Sequence, residues 1–322
     1  MSTLPTSRNK DTYKVRYWKA YHSSLCQRGG LTLYLEDSVL KEWKLCSRKK
    51  KQVGEHTYSD RIIQCCLLMK ISYGLKFRQS TGFLESIFLL IKKSHLLVPD
   101  YSTLSPRQKS LPVEVSQRLE CRKNLTVGID STGLKVYGEG EWKVRKHGSS
   151  KRRTWRKLPI CMDLDTQEIV SIELTGNHED DVAVGKRMSG GKTTHIKGFK
   201  GDGAYDDFGF GENLGAGIIQ TIPPPKDAVI QKPKKNKPVP EFPIRRNEAV
   251  SQIQKQGSKV WKEQQGYHQE SLNEVVRFRY QTIFSGELDV RTMDNQTTEV
   301  KLKCLLLTKF KRIGMPVSYK VQ

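Results

Sequence analysis

The chain has 322 residues, of which 36% are hydrophobic, and its 56 Lys and Arg against 34 Asp and Glu give a formal net charge of +22. No run of 18 apolar residues occurs, which excludes a membrane-spanning helix, and seven cysteines without a CxxC pair argue against a disulfide framework or a zinc knuckle. The basic excess attracts polyanions, so we expect a nucleic-acid partner and a cytoplasmic location, with a merely basic or ribosome-associated protein as the alternative.

The N-terminal third of the chain is predicted to be helical, and its polar start predicts no secretory signal. Residues 58–74 carry apolar residues at helical spacing, between a Ser-Asp start signal and a stop at Gly74. Two further helical stretches follow, one on each side of Pro99. Three helices with short connections suit a helix-turn-helix that binds DNA, and a plain helical bundle is an equal alternative. We take residues 1–115 as an N-terminal helical DNA-binding region.

Residues 124–222 differ from this region and are typical of strands. Runs rich in Val, Ile, Thr and Leu alternate with turn residues, and a short helix is predicted within 178–190. This order predicts an α/β fold in which a mixed sheet is flanked by helices. A Pro- and Lys-rich stretch at about 223–245 is predicted to be an exposed insertion, followed by a helix over about 267–284 and a basic tail. We assign residues 120–316 to this second domain.

Two acids occupy similar places at the ends of predicted strands. Asp130 follows Thr-Val-Gly-Ile, Asp202 follows Lys-Gly-Phe-Lys-Gly, and each precedes residues that let the backbone turn. Open sheets build their sites at such strand ends. The predicted helix near the C-terminus adds a polar arc that we expect to face both acids across a cleft. That arc contains Tyr267, Glu270, Glu274 and Gln281.

Each of these acids alone has a simpler explanation. An Asp before Ser or Gly is typical of a turn, and a helical Glu such as Glu274 is usually exposed and paired with a neighbour such as Arg277. Glu248 competes for the third place. Four other acids are weaker candidates, as helix caps, turn residues or groups outside the site: Asp180, Asp181, Asp206 and Asp207.

Three carboxylates in one site require a shared cation, because like charges at close range repel. Hard oxygen ligands suit Mg²⁺, for which Mn²⁺ can substitute. Two such ions roughly 4 Å apart can activate an attacking oxygen and stabilise a leaving oxygen in phosphoryl transfer. The pattern therefore favours a two-metal site with Asp130, Asp202 and Glu274 as ligands.

A dense basic run follows the first of these acids. Residues 142–157 include eight Lys and Arg and no acid. We expect a hairpin tip that contacts the DNA backbone near Asp130, with Trp142 and Trp155 as stacking or packing aromatics, and a solvated hairpin is the alternative. The eight residues are Lys143, Arg145, Lys146, Lys151, Arg152, Arg153, Arg156 and Lys157.

Several segments together resemble bacterial insertion-sequence transposases of the DDE type. They include TVGIDSTGLKVYGEGEW, GDGAYDD, RRNEAV and GYHQESLNEVVRFRYQTIF, with LTLYLEDSVLKEW and PDYSTLS similar to the N-terminal region of that group. The resemblance covers about residues 15–316. It implies a ribonuclease-H-like catalytic core and a metal-binding triad of Asp130, Asp202 and Glu274.

The resemblance also implies a Tyr, Arg, Glu and Lys signature around the glutamate. Tyr267 and Glu274 match it, and Tyr267 is then expected to bind DNA. Glu270 stands where the family usually has Arg, and Gln281 where it usually has Lys. A carboxylate near phosphates is unfavourable, so these two departures predict weaker binding of transposon ends.

The function implied is that of a DNA transposase. Such a protein binds terminal inverted repeats, cleaves a strand at each end with two Mg²⁺ ions, and joins the freed 3′-hydroxyl to target DNA. Its partners are double-stranded transposon ends and target DNA, it acts as a homodimer in a synaptic complex, and it associates with the nucleoid. Two alternatives stay open: a related metal-dependent nuclease without strand transfer, and a DNA-binding remnant with impaired catalysis.

Overall fold

A computed structural model describes residues 12–46, 57–116, 124–136, 155–189, 195–215, 217–230 and 241–321. Its N-terminal part is helical, as predicted. The helices there are α1 (Trp18–Arg28), α2 (Asp37–Lys44), α3 (Asp60–Ser72), α4 (Phe77–Leu90) and α5 (Tyr101–Ser110).

Helix α3 begins and ends where the sequence signals predict. The Ser59 side chain accepts a hydrogen bond from the backbone N–H of Ile62, which caps the helix start. The chain leaves the helix at Gly74, whose φ of 64° is readily adopted only by glycine. Side chains from Ile62 to Lys70 are almost all buried, because α2, α4, α5 and a long C-terminal helix surround α3. The helix is therefore the centre of the helical region.

The second part is a mixed sheet, which confirms the predicted α/β fold. Its main strands are β2 (Leu125–Val136), β3 (Trp155–Asp163), β4 (Ile169–Ile172), β6 (Ile196–Lys200) and β7 (Ile219–Thr221), in the spatial order β4-β3-β2-β6-β7. Strands β3 and β4 run antiparallel to their neighbours, and β6 and β7 run parallel to β2. Short strands β5 (Thr175–Gly176) and β8 (Glu287–Leu288) pair with β3 and β2. This is the ribonuclease-H-like arrangement.

Helices cover both faces of the sheet. After β5 come α6 (Asp181–Ser189) and α7 (Phe208–Leu214), and the C-terminal part adds α8 (Glu241–Gln256), α9 (Ser258–Gln264), α10 (Ser271–Phe284) and α11 (Met293–Ile313). A short ribbon joins the ends of the described chain, since β1 (Thr12–Val15) pairs antiparallel with β9 (Ser318–Val321). Within the described residues, no helix has both the length and the apolar character to cross a membrane.

Two apolar cores lie on opposite faces of the sheet. One joins side chains of the N-terminal helices and α11 to Leu134, Leu158 and Ile160 of the sheet. The other packs Val127 and Ile129 against α6, α7 and Phe199. Because successive residues of a strand point to opposite faces, β2 contributes to both cores. The first core links the helical region to the sheet without a break.

The structure corrects three expectations about the C-terminal part. The predicted basic tail is helix α11, whose buried residues include Leu302, Leu305 and Leu306. It packs on both the N-terminal helices and the sheet, and even its charged residues Glu299 and Lys303 are buried, as an ion pair. Helix α8 begins at Glu241, so the last residues of the predicted insertion are helical, and residues 231–240 lie outside the described part. The third expectation comes from helical spacing, which predicts an apolar face of α10 formed by Leu272, Val276 and Ile283. Ile283 is instead 40% exposed, and the aromatic side chains of Tyr280 and Phe284 are buried.

Candidate active site

Parallel pairing of β2 and β6 places Asp130 and Asp202 side by side. Gly128 of β2 pairs with Lys200 of β6, and each acid lies two residues further along its strand direction. Adjacent strands are about 4.8 Å apart, so the two acids lie at the same edge of the sheet. Asp130 is half-buried within β2, while Asp202 is exposed just beyond β6.

Helix α10 runs along β2 and brings Glu274 to the same edge. The Asn273 side chain lies directly over Gly128, and Gln281 donates a 2.8 Å hydrogen bond from Nε2 to Oγ1 of Thr132. From Asn273 to Gln281 the helix makes about two turns, and from Gly128 to Thr132 the strand advances four residues. These two spans have about the same length, as expected when a helix lies parallel to a strand. The turn between these two contacts places Arg277 Nε 3.7 Å from Asp130 Oδ2.

The pKa shifts of Asp130 and Glu270 indicate which carboxylates lie close to one another. Burial raises the pKa of Asp130, and the carboxylates of Asp202 and Glu274 raise it further, while Arg277 and the backbone N–H of Ser131 lower it. Burial also raises the pKa of Glu270, with contributions from Asp130, Glu274 and Asp202. The site therefore contains four carboxylates rather than the three that were predicted as ligands.

Tyr267 borders the acids on one side and a basic cavity on the other. Burial, followed by Glu270, Asp202 and Glu274, raises the pKa of its hydroxyl to about 12, so it is neutral at physiological pH. The Lys262 ammonium lies 5.0 Å from the centre of its ring. A cavity of about 410 Å³ opens there, lined by Ser258, Lys259, Lys262, Glu263, Tyr267 and His268.

The segment after β6 is fixed at several points. Asp202 accepts a 3.0 Å hydrogen bond from the backbone N–H of Ala204, and Tyr205 is buried against Phe199. Nε of Arg246 on α8 donates to both carboxylate oxygens of Asp206, at 2.9 and 3.0 Å.

The remaining acids that the sequence offered as weaker candidates have structural partners. Asp207 caps α7 through Phe210 and pairs with Lys186, and Asp180 accepts from the backbone N–H of Ala183 at the start of α6. Glu248 is exposed on α8, and the carboxylates that raise the pKa of Asp130 are Asp202 and Glu274.

Two of the eight basic residues of this run are described, and they point to opposite faces of β3. Lys157 binds Asp181 Oδ2 at 2.9 Å, and Asp181 also accepts from the hydroxyl of Ser131, next to Asp130. Arg156 instead donates to the side chain of Gln296 on α11. The other six predicted DNA-binding residues of the run lie outside the described part: Lys143, Arg145, Lys146, Lys151, Arg152 and Arg153.

The donor set at this edge fits hard divalent ions. Carboxylate oxygens are the preferred ligands of Mg²⁺ and Mn²⁺, and Asp130 Oδ2 is a buried oxygen that accepts no hydrogen bond. As placed, however, no group of three or more His, Cys, Asp or Glu side chains among the described residues is arranged to hold a metal ion. Asp130 faces Arg277 instead, so metal ligation requires this contact to open.

Sequence reasoning missed Arg277 as a member of the site. Glu270 was already on the polar arc predicted to face the acids, and its carboxylate lies near Asp130 and Glu274. Arg277 entered the sequence prediction only in the simpler alternative, as a neighbour with which Glu274 could pair, whereas in the structure it lies near Asp130 across the helix–strand contact. The spacing along α10 places Arg277 beside Glu274 but does not show which acid of another element comes close.

Two family models match the chain, and both are described as a transposase DDE domain. The first covers residues 26–139, which include most of the N-terminal helices and β2. The second covers residues 123–303, more than half of the chain, and includes Asp130, Asp202 and Glu274. No solved structure matches the chain.

Proposed function

The chain belongs to the family of transposases with a DDE domain, and on this premise we propose that it cleaves the ends of an insertion sequence and transfers them to target DNA. Asp130, Asp202 and Glu274 are the proposed catalytic residues. The observation that supports this assignment is the position of Asp130 and Asp202 at the same edge of the sheet, after paired strands, with Glu274 near enough to raise the pKa of Asp130 as Asp202 does.

The proposed roles follow from where each side chain lies. Asp130, within β2, and Asp202, at the equivalent place beyond β6, would hold two Mg²⁺ ions together with Glu274, and Mn²⁺ could substitute. When held there, such ions would supply Lewis-acid chemistry for phosphodiester cleavage, and the carboxylates would position them. The Tyr267 hydroxyl, which is protonated at physiological pH, is proposed to donate a hydrogen bond to a phosphate of the DNA.

We assign DNA recognition to the helical residues 1–115 and to the basic run over 142–157. The proposed partners are transposon ends and target DNA, bound by a homodimer so that both ends are processed together in the nucleoid. The net charge of +22 supports a polyanionic partner.

One observation supports a second candidate, a DNA-binding remnant with impaired catalysis. Glu270 adds a fourth carboxylate to the site, where it repels the phosphate that the triad must receive. A related nuclease without strand transfer differs from the first proposal only in the final step, so a strand-transfer assay with pre-cut ends separates these two.

The test is a Mn²⁺-dependent nicking assay on DNA that carries the element's own ends. Wild-type protein should nick it, whereas Asp130→Ala and Glu274→Gln should lose activity by about a hundredfold or more, since each removes a metal ligand. Glu248→Gln is the matched control and should retain activity. Undiminished cleavage by Asp130→Ala would refute the triad. DNA retention without nicking by the wild-type protein would favour the remnant.

A further inference from the structure

The acidic site contains one cation that the proposed chemistry does not use. Arg277 lies on α10, one turn after Glu274, and its side chain is 43% exposed. Its Nε is 3.7 Å from Asp130 Oδ2, which is too long for a hydrogen bond and leaves that oxygen without a hydrogen-bond donor. The contact is therefore a loose charge pair between a half-exposed Arg and a half-buried acid.

The other polar residues of the predicted arc are poorly suited to bind a phosphate. Glu270, which directly precedes α10, carries a negative charge and lies near the carboxylates of Asp130, Glu274 and Asp202. Gln281 carries no charge, and its amide is engaged with Thr132. Of the described groups that shift the pKa of Asp130, Arg277 is the cation, and it lowers that pKa. Its planar guanidinium can bind a phosphate through two parallel hydrogen bonds.

We propose that Arg277 is the phosphate-binding residue of this site and that it alternates between Asp130 and DNA. Without a divalent ion, Arg277 neutralises part of the charge of the four carboxylates. A divalent ion on Asp130 repels the guanidinium and takes over the oxygen that it faces. Arg277 then turns to the exposed side of α10 and binds a phosphate of the DNA. This inference rests on the proposed function, because it assumes that Asp130 is a metal ligand.

The proposal predicts opposite effects of one substitution in two binding experiments. In Arg277→Gln, Mn²⁺ should bind the DNA-free protein at least about threefold more tightly, because a competing positive charge near the ion is removed. With Ca²⁺ present, the same variant should bind end DNA more weakly, and the slope of log K against log salt should fall by about 0.9, which corresponds to one lost phosphate contact. Without a divalent ion, its DNA binding should equal that of the wild type.

Three variants make the experiment decisive. Arg277→Lys keeps the charge and should stay close to wild type in Mn²⁺ affinity, which separates an electrostatic effect from a packing effect. Arg291→Gln removes an exposed arginine outside the site and should change neither measurement. Asp130→Ala should abolish the Mn²⁺ site itself. Thermal unfolding of each variant establishes that it is folded.

The outcomes separate this inference from the proposed function. If Asp130→Ala loses Mn²⁺ but Arg277→Gln binds it no more tightly than wild type, the role of Arg277 is wrong and the triad stands. Equal loss of DNA affinity with and without Ca²⁺ also overturns the alternation. If wild-type protein and Asp130→Ala bind Mn²⁺ alike, the metal-binding triad itself is refuted, and this inference with it.

Discussion

Gly128 shows how a single residue sets the distance between the helix and the strand that carry the site. A Cβ at this position would lie 2.3 Å from Asn273 Nδ2 and 2.9 Å from its Cγ, which is closer than atoms can approach. Asn273 is itself buried and adjoins Glu274. The absence of a side chain at 128 therefore lets α10 approach β2 closely enough for Glu274 and Arg277 to reach the sheet edge.

We expect Gly128→Ala to destabilise the protein by about 1 to 3 kcal/mol, because the extra methyl group overpacks this contact. It should also weaken Mn²⁺ binding, since Glu274 moves away with α10. Urea unfolding and metal titration measure the two effects. Gly176→Ala is the control: a Cβ there meets no atom within 4 Å, so its effect should be about 0.5 kcal/mol or less. Similar losses in both variants would contradict the role of the close approach.

At the level of elements, the segment after β6 depends on α8 through a buried ion pair. The side chains of Arg246 and Asp206 are 12% and 4% exposed, and Arg246 also donates to the backbone carbonyl of Val229. These contacts connect the segment that begins with Asp202 to a helix more than 30 residues later. The pair therefore brings the segment RRNEAV into direct contact with the segment GDGAYDD.

Arg246→Gln should cost about 3 to 5 kcal/mol in the free energy of unfolding, because it leaves the buried Asp206 carboxylate without its partner. The double variant with Asp206→Asn should lose less than the sum of the two single losses. Arg187→Gln, which opens a surface pair with Glu173 and Glu179, should cost about 1 kcal/mol or less. Additive losses in the double variant would show that the two side chains act independently.

The start of α7 should make stability depend on pH. The hydrogen bond from Lys186 lowers the pKa of Asp207, and the backbone N–H of Phe210 lowers it further. Because the pKa of Asp207 is lower in the folded protein, its ionised carboxylate stabilises the fold above the ordinary pKa of Asp, about 3.9. This stabilisation is lost as the pH falls through the lower pKa of the folded state. Asp207→Asn keeps a capping side chain but no charge. Wild type should be more stable than this variant at pH 7 and equal to it near pH 2, as measured by urea unfolding; a difference that does not change with pH would contradict the ionic contribution.

The sequence predicted elements well where local patterns decide them. The alternation in β2, the cap of α3 and the short helix α6 all follow from nearby residues. Helix α11 was missed because a helix that is buried on several sides has no single apolar stripe in its sequence. Its Lys and Arg residues favoured the interpretation as an exposed basic tail. The pairing of Arg277 with Asp130 was missed for another reason: it depends on the register between α10 and β2, which only tertiary packing determines.

At the scale of the whole molecule, helix α11 joins the N-terminal helices to the sheet. It packs against α1, α3 and α5 as well as against α10 and β4. The core on this side contains Ile63 of α3 and Ile160 of β3 in one continuous cluster. The proposed DNA-binding region and the proposed catalytic domain therefore share apolar side chains, and we expect them to unfold as one cooperative unit.

Leu306→Ala tests this expectation, because Leu306 is fully buried on α11 within the shared core. The substitution should cost about 2 to 5 kcal/mol. Hydrogen exchange should show the same loss of protection for amides of α3 and of β3, since both exchange through the same unfolding. Leu89→Ala, at a position that is 67% exposed, should leave both unchanged. A loss confined to α3 would mean that the helical region unfolds by itself, so that DNA recognition and catalysis belong to separately stable parts of the chain.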